Sequence, residues 1–135
     1  MVEKRYEGGC FCGAARYVAT GEPDNVRICH CAMCRKLTGS AFFARAMFPA
    51  DKVTAAGELA VFKSSDDLER LFCPACSAMV MVRRVSRPDL IGITLGTLDD
   101  PGALRPDCHV WTESKVSWLT IDDGLPQHPR DYPAD

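Results

Sequence analysis

The chain has 135 residues, of which 47% are hydrophobic and 25% charged, with a formal net charge of -2 at pH 7. These values predict one soluble globular domain spanning residues 1–135. The weak negative charge argues against nucleic acid or an anionic membrane as a partner. No apolar segment approaches the roughly 20 residues of a membrane span, and the N-terminus lacks a secretory signal, so we expect a cytoplasmic protein.

Short apolar segments between glycines and prolines predict β-strands. In chain order these are Ala14–Thr20, Ala41–Phe48, Leu59–Lys63, Met79–Arg84 and Leu90–Leu95, with weaker candidates at Cys108–Thr112 and Val116–Ile121. The Met79–Val82 segment is apolar on both faces, which indicates a buried central strand.

Helix is predicted only over Cys31–Gly39 and Ser65–Arg70, and the proline-containing tail after Gly124 should be extended on the surface. The expected fold class is therefore mainly β, with small antiparallel sheets, little helix and metal-binding knuckles on the connecting loops.

Seven of the eight cysteines fall into three tight clusters, a pattern typical of metal sites. The clusters are Cys10-Phe-Cys12, Cys29-His-Cys31-Ala-Met-Cys34 and Cys73-Pro-Ala-Cys76. Disulfides are the less favoured explanation, because no export signal is present and a Cys10–Cys12 bond would close a strained ring.

The Cys73–Cys76 knuckle needs two further ligands, and the Cys10–Cys12 segment can supply them, with Gly8, Gly9 and Gly13 allowing a tight backbone path. This zinc site would close a loop of roughly sixty residues and stabilise a small core. Cys29, Cys31 and Cys34 would then bind a second zinc ion with one open position. The alternative pairs Cys31 and Cys34 with the first segment, and Cys29 with the knuckle.

Two residues further along the chain are candidates for the open position of the second site. Cys108 would close it, although a lone cysteine close to Val110 and Trp111 is more often a small buried hydrophobic residue. His109 is either a functional residue or a satisfied structural histidine. His30, between two ligands, should point away from the ion.

A zinc ion held by three thiolates is electron-rich, which favours binding a further sulfur ligand over activating water. The expected chemistry is therefore that of a small thiol. Arg35 and Lys36 would offset the charge of the site and pair with carboxylates of an acidic thiol. Ser40 is a candidate donor to the substrate, and Arg70 is a candidate for either a substrate contact or a surface ion pair.

The order of these motifs resembles the glutathione-dependent formaldehyde-activating family. The matching segments are Gly9–Gly13 with Tyr17, Cys29–Lys36 with Gly39–Ser40, Ser64–Ser65 with Arg70 and Phe72–Cys76, Gly96–Pro101, His109–Lys115, Trp118 and Asp123–Pro126. One departure is Ser77, where relatives usually have a glycine of positive φ, so mild strain or a different turn is expected there.

The resemblance implies an Mss4-like fold and two zinc ions per chain. It implies a structural zinc on Cys10, Cys12, Cys73 and Cys76, and a catalytic zinc on Cys29, Cys31 and Cys34. The implied activity is that of a carbon–sulfur lyase, which joins glutathione and formaldehyde to S-(hydroxymethyl)glutathione or reverses that step. Two other hypotheses are a binding module in which both zinc ions are structural, and a thiol-redox or zinc-buffering protein.

Overall fold

The structure is a computed structural model that describes residues 3–133, and over this range it is built mainly from β-strands. The elements are β1 (Arg5–Gly9), β2 (Arg16–Thr20), β3 (Asn25–Cys29), α1 (Ala32–Thr38), β4 (Phe43–Pro49), β5 (Val53–Ala56), β6 (Ala60–Lys63), β7 (Leu68–Phe72), β8 (Met79–Arg84), β9 (Arg87–Thr94) and β10 (Cys108–Val110). Short 3-10 turns cover Ala50–Lys52, Leu95–Thr97, Pro101–Ala103 and Thr112–Ser114. The mainly β class with little helix is confirmed.

The strands form two sheets. A three-stranded antiparallel sheet has the order β1-β2-β5, and a seven-stranded sheet has the order β10-β3-β4-β9-β8-β7-β6. Every pair in the larger sheet is antiparallel except β10 with β3, which is parallel. One sheet is thus larger than the sequence suggests, with a parallel strand at its edge.

The main core draws side chains from both sheets. Tyr17 of β2 is buried in the same cluster as Phe48 of β4, Met81 of β8 and Ile93 of β9. The predicted central strand is confirmed, because Val80–Val82 is buried and β8 lies between β9 and β7.

The helix predicted over Cys31–Gly39 is confirmed as α1, and two other predicted elements are wrong. Ser65–Arg70 is not a helix, because its second half belongs to β7, which pairs with β6 and β8. The Val116–Ile121 segment contains a turn and no strand. Strands β1, β3, β5 and β7 were not anticipated by the apolar pattern.

The tail after Gly124 is extended, as predicted, and follows the edge strand β10. The backbone N–H of His109 donates to the Pro126 carbonyl at 2.9 Å, and the N–H of His128 donates to the His109 carbonyl at 2.9 Å. This path brings Tyr132 onto the side chain of Arg27 in β3. Among residues 3–133, no helix combines the length and apolar character required to cross a membrane.

Candidate metal centres and the adjoining cavity

One cluster, here called the four-sulfur group, consists of Cys10, Cys12, Cys73 and Cys76, whose Sγ atoms all lie within 4.8 Å of one another. The Cys12 Sγ atom lies 3.6 Å from Cys10 Sγ and 3.7 Å from Cys73 Sγ. This group connects the turn after β1 to the turn between β7 and β8. Its geometry could hold a metal ion.

Backbone hydrogen bonds favour the thiolate form of two cysteines in the four-sulfur group, Cys10 and Cys76. The N–H of Ala15 donates to Cys10 Sγ at 3.2 Å and lowers the pKa of this thiol. On the other turn, the N–H of Ala78 lowers the pKa of Cys76 to about 6. Hydrogen bonds to the charged form favour thiolates, which are the metal-binding form of cysteine.

Two residues in these turns have positive φ. Gly13 follows the first pair of cysteines at φ 81°, and Ser77 follows the second pair at φ 70°. The Ser77 N–H donates to the Cys73 carbonyl at 2.8 Å, which closes the knuckle turn. The strain predicted at Ser77 is therefore present, because a residue with a Cβ atom rarely adopts this conformation.

A second cluster, the three-sulfur group, consists of Cys29, Cys31 and Cys34, again with all Sγ atoms within 4.8 Å of one another. Cys29 ends β3, Cys31 is the N-cap of α1, and Cys34 lies in its first turn. The Cys31 Sγ atom accepts the N–H of Cys34 at 3.3 Å. Thiols of Cys29 and then Cys34 also donate to Cys31, and together these bonds lower its pKa far below the ordinary range.

The two groups decide between the alternative cysteine assignments. The structure brings Cys10 and Cys12 together with Cys73 and Cys76, and it keeps the remaining trio separate. Cys108 does not join the trio within the described residues. It is buried on β10 opposite Arg27, and burial raises the pKa of its thiol.

His109 is engaged elsewhere through both of its ring nitrogens. Its Nε2 lies 2.6 Å from Asp123 Oδ2, and its Nδ1 lies 2.8 Å from Nε2 of the fully buried His30. The Asp123 carboxylate accepts a hydrogen bond from Nε2 of His109, and in this tautomer Nδ1 of His109 accepts one from Nε2 of His30. Burial, and then the proximity of His109, lower the pKa of His30 to about 4. These two hydrogen bonds connect His30, which lies between Cys29 and Cys31, to His109 and Asp123, and they support the backbone of the three-sulfur group.

The three-sulfur group opens onto a cavity of about 500 Å³, whereas none of the four-sulfur cysteines lines it. Phe43, Met47, Leu68 and Val82 form much of the apolar wall. Two polar residues of the wall are Ser114 and Asp131. The wall also contains four arginines, which are Arg27, Arg45, Arg70 and Arg84. An apolar pocket with few polar groups is the usual form of a small-molecule site.

Arg70 is a buried cation beside the three-sulfur group, with 3% of its surface exposed. Its two terminal nitrogens each lie 3.8 Å from Cys34 Sγ, and its Nε donates to Ser64 Oγ at 3.0 Å. The residue is therefore neither in a surface ion pair nor free in solvent. Its positive charge opposes the negative charge that thiolates would place here.

The other polar residues predicted for the site are not part of the cavity wall. Arg35, Lys36, Ser40 and His109 are not among the described residues that line the cavity. The residues that the sequence reasoning missed are Arg27, Arg45 and Arg84. A signal for the first was present, since Arg27 and Cys29 are two residues apart on a strand and share one face.

Comparison with known proteins identifies a family that covers most of the chain. The model of the family described as "Glutathione-dependent formaldehyde-activating enzyme" matches residues 5–114. A Schizosaccharomyces pombe protein named "Uncharacterized lyase" is 29% identical over 128 residues, covering 87% of this chain and 93% of its own length. A Halomonas elongata protein named "Putative glutathione-dependent formaldehyde-activating enzyme" is 28% identical over 126 residues, covering 86% and 80%.

A crystal structure of a Rhodobacter sphaeroides protein shares the fold, with a TM-score of 0.54, 21% identity, and coverage of 74% of this chain and 91% of its own. The family match extends over most of the chain and includes both sulfur groups. This chain therefore belongs to the glutathione-dependent formaldehyde-activating enzyme family.

Proposed function

We propose that this protein is a zinc-dependent carbon–sulfur lyase acting on a thiol–aldehyde adduct of the S-(hydroxymethyl)glutathione type. The observation that carries the proposal is the difference between the two sulfur groups. Only the three-sulfur group lines the 500 Å³ cavity, and it offers one ligand fewer than a closed tetrahedral site needs. The four-sulfur group supports a structural role.

The donor sets fit zinc. With zinc–sulfur bonds of about 2.3 Å, the sulfurs of a tetrahedral site stand about 3.8 Å apart. The Sγ separations of 3.6 and 3.7 Å around Cys12 are close to this value. Cys10, Cys12, Cys73 and Cys76 would hold one ion, and Cys29, Cys31 and Cys34 a second. When bound at the second group, zinc supplies an open coordination position that favours a thiolate over a thiol.

In the lyase direction the carbon–sulfur bond of the adduct breaks, its electron pair stays on sulfur, and the hydroxyl proton passes to solvent as the aldehyde forms. The apolar part of the wall includes the buried side chains of Phe43 and Val82 and would limit the access of water to the reacting sulfur. Arg70 adds a fixed positive charge beside Cys34 and thereby favours negative charge at this end of the cavity. These residues prepare a place for a thiolate.

The family membership, the lyase name of one relative and the formaldehyde-activating name of the other support the same reaction class. We also propose that the three-sulfur cysteines are the catalytic metal ligands, that residues 1–135 form one domain, and that the protein works in the reducing cytoplasm, where thiolates persist.

The decisive experiment measures glutathione–formaldehyde exchange by NMR together with zinc content. Wild-type protein should bind two zinc ions and accelerate exchange. Cys34→Ser should keep one ion and its near-UV circular dichroism but lose turnover. Cys108→Ala is the matched control, because this cysteine lies outside both groups, and it should keep two ions and activity.

Turnover that survives Cys34→Ser would contradict the proposal. Absence of turnover in wild-type protein with two bound zinc ions would favour a non-catalytic binding module instead. Release of zinc by mild peroxide, reversed by dithiothreitol, would favour a redox or zinc-buffering role.

A further inference from the structure

Two arginines face each other across neighbouring strands in the cavity. Arg27 of β3 and Arg45 of β4 are direct partners in the antiparallel register. Side chains of such partners point to the same face with Cβ atoms about 5 Å apart, and like charges there destabilise a sheet. The fold therefore maintains an unfavourable pair at this position.

Neither arginine has a carboxylate partner within residues 3–133. Arg45 is half-buried and donates to the neutral amide oxygen of Asn25. Arg27 stacks on Tyr132, with its guanidinium carbon 4.1 Å from the ring centroid. Burial, and then the charge of Arg27, lower the pKa of Arg45 to about 10, so Arg45 remains a cation at neutral pH.

The pair has a defined position relative to the three-sulfur group. On β3, Cys29 lies two residues after Arg27. On β4, the partner of Cys29 is Phe43, which lies two residues before Arg45. All four side chains line the cavity. The two-residue separation of Arg27 and Cys29 corresponds to about 7 Å along the strand. Two residues of an extended peptide ligand span about the same length.

The other two arginines of the cavity wall already have partners. Arg70 faces Cys34, and Arg84 pairs with Asp67 at 3.3 Å. Asp131 is the one carboxylate among the described wall residues, and it makes no ion pair with either arginine of the facing pair. The wall thus has a pair of guanidinium groups that make no ion pair within residues 3–133, and such a pair suits a planar carboxylate.

Given the proposed function, on which this step rests, we propose that Arg27 and Arg45 bind a carboxylate of the thiol substrate and select acidic over neutral thiols. Because the arginine pair lies only two strand residues from Cys29, we assign to it the carboxylate one peptide unit from the cysteinyl residue, which in glutathione is that of the glycyl end. The anion also removes the repulsion between the two arginines.

The test measures binding rather than turnover. S-methylglutathione cannot ligate a metal through a thiolate, so its affinity reports the rest of the site. We expect calorimetry to show that wild-type protein binds it about 10- to 100-fold more tightly than its glycyl amide. In Arg27→Met and Arg45→Met this difference should vanish, whereas Arg87→Met, in the exposed β8–β9 hairpin, should retain it.

Two further variants strengthen the design. Asp131→Asn should increase the affinity for S-methylglutathione, because it removes the only competing carboxylate of the described wall. Each arginine variant should keep the near-UV circular dichroism of wild type, and this excludes misfolding as the cause of lost binding. Equal binding of acid and amide to wild type would overturn the inference.

The inference and the proposed function can fail separately. Acid–amide discrimination that depends on both arginines, in a protein without lyase turnover, would uphold the carboxylate site and reject the lyase. Lyase turnover with the same kcat/KM for glutathione and 2-mercaptoethanol adducts in wild type and in both arginine variants would uphold the lyase and reject the carboxylate site.

Discussion

The buried guanidinium of Arg70 contacts Cys34 with both terminal nitrogens, each 3.8 Å from Sγ. This contact places a cation of β7 against a ligand of the three-sulfur group, although 36 residues separate the two along the chain. The arginine therefore belongs to the electrostatics of the candidate metal centre.

We expect Arg70→Met to lower the zinc affinity of the three-sulfur group by about 10- to 100-fold, the usual effect of losing a supporting residue around a metal site. Competition with a chromophoric chelator measures this affinity. Arg87→Met is the control, since this exposed arginine pairs with Asp89 far from either cluster. Equal affinities in the two variants would show that Arg70 has no electrostatic role.

The two sulfur groups should differ in their effect on stability. Cys73→Ser should lower the free energy of unfolding by several kcal/mol, because metal binding at the four-sulfur group is coupled to folding and joins distant parts of the chain. Cys34→Ser should lower it by clearly less. Urea denaturation of zinc-loaded proteins provides the comparison, and equal losses would assign a structural role to both groups.

Ser77→Gly should stabilise the protein by about 1 kcal/mol, since glycine adopts φ 70° without the clash of a Cβ atom. Ser77 is exposed, so few contacts are lost. Ser77→Ala is the matched control and should give no such gain, because alanine keeps the Cβ atom. Thermal unfolding of the three zinc-loaded proteins tests this, and a gain in the alanine variant would point to another cause.

The His109–Asp123 contact predicts a pH dependence. The hydrogen bond from His109, and then the backbone N–H of Leu125, hold the pKa of Asp123 below its usual range. The carboxylate therefore stabilises the fold above the unfolded pKa of about 3.9, and this contribution is lost as the pH falls through the lower folded pKa. Asp123→Asn should consequently be less stable than wild type at pH 7.

Carboxyl ¹³C NMR measures the titration directly. In wild type the Asp123 midpoint should lie below that of an aspartate in an unstructured peptide, and His109→Asn should move it upward. A midpoint unchanged by His109→Asn would show that the histidine is not the cause.

The sequence predicted best those features that depend on neighbouring residues. The start and centre of β8 follow from the apolar run Met79–Val82, and α1 follows from the Cys31–Gly39 segment with its terminal glycine, which has φ 69°. The three cysteine clusters also followed from the CxC and CxxC spacings, whereas the pairing of the first cluster with the third was one of two alternatives until the structure decided it. Each of these signals is contained within a few residues.

Features that depend on strand pairing were missed. Strands β3 and β7 carry Arg27 and Arg70 on their cavity faces, so they lack the apolar pattern on which strand prediction relies. The serine and aspartate residues before Leu68 imitate the start of a helix, although they form the bend that leads into β7. The facing arginines of the cavity follow from the β3–β4 register, which local patterns do not contain.

The two sulfur groups also differ in when they can assemble. Cys29, Cys31 and Cys34 lie within one six-residue segment, whereas Cys12 and Cys73 are separated by 61 residues. Short loops close in well under a microsecond, but contacts between distant residues wait for sheets to form. During synthesis we expect the trio to acquire its ion while the rest of the chain is still emerging. The ion of the four-sulfur group would arrive last, and its binding would mark the completion of folding.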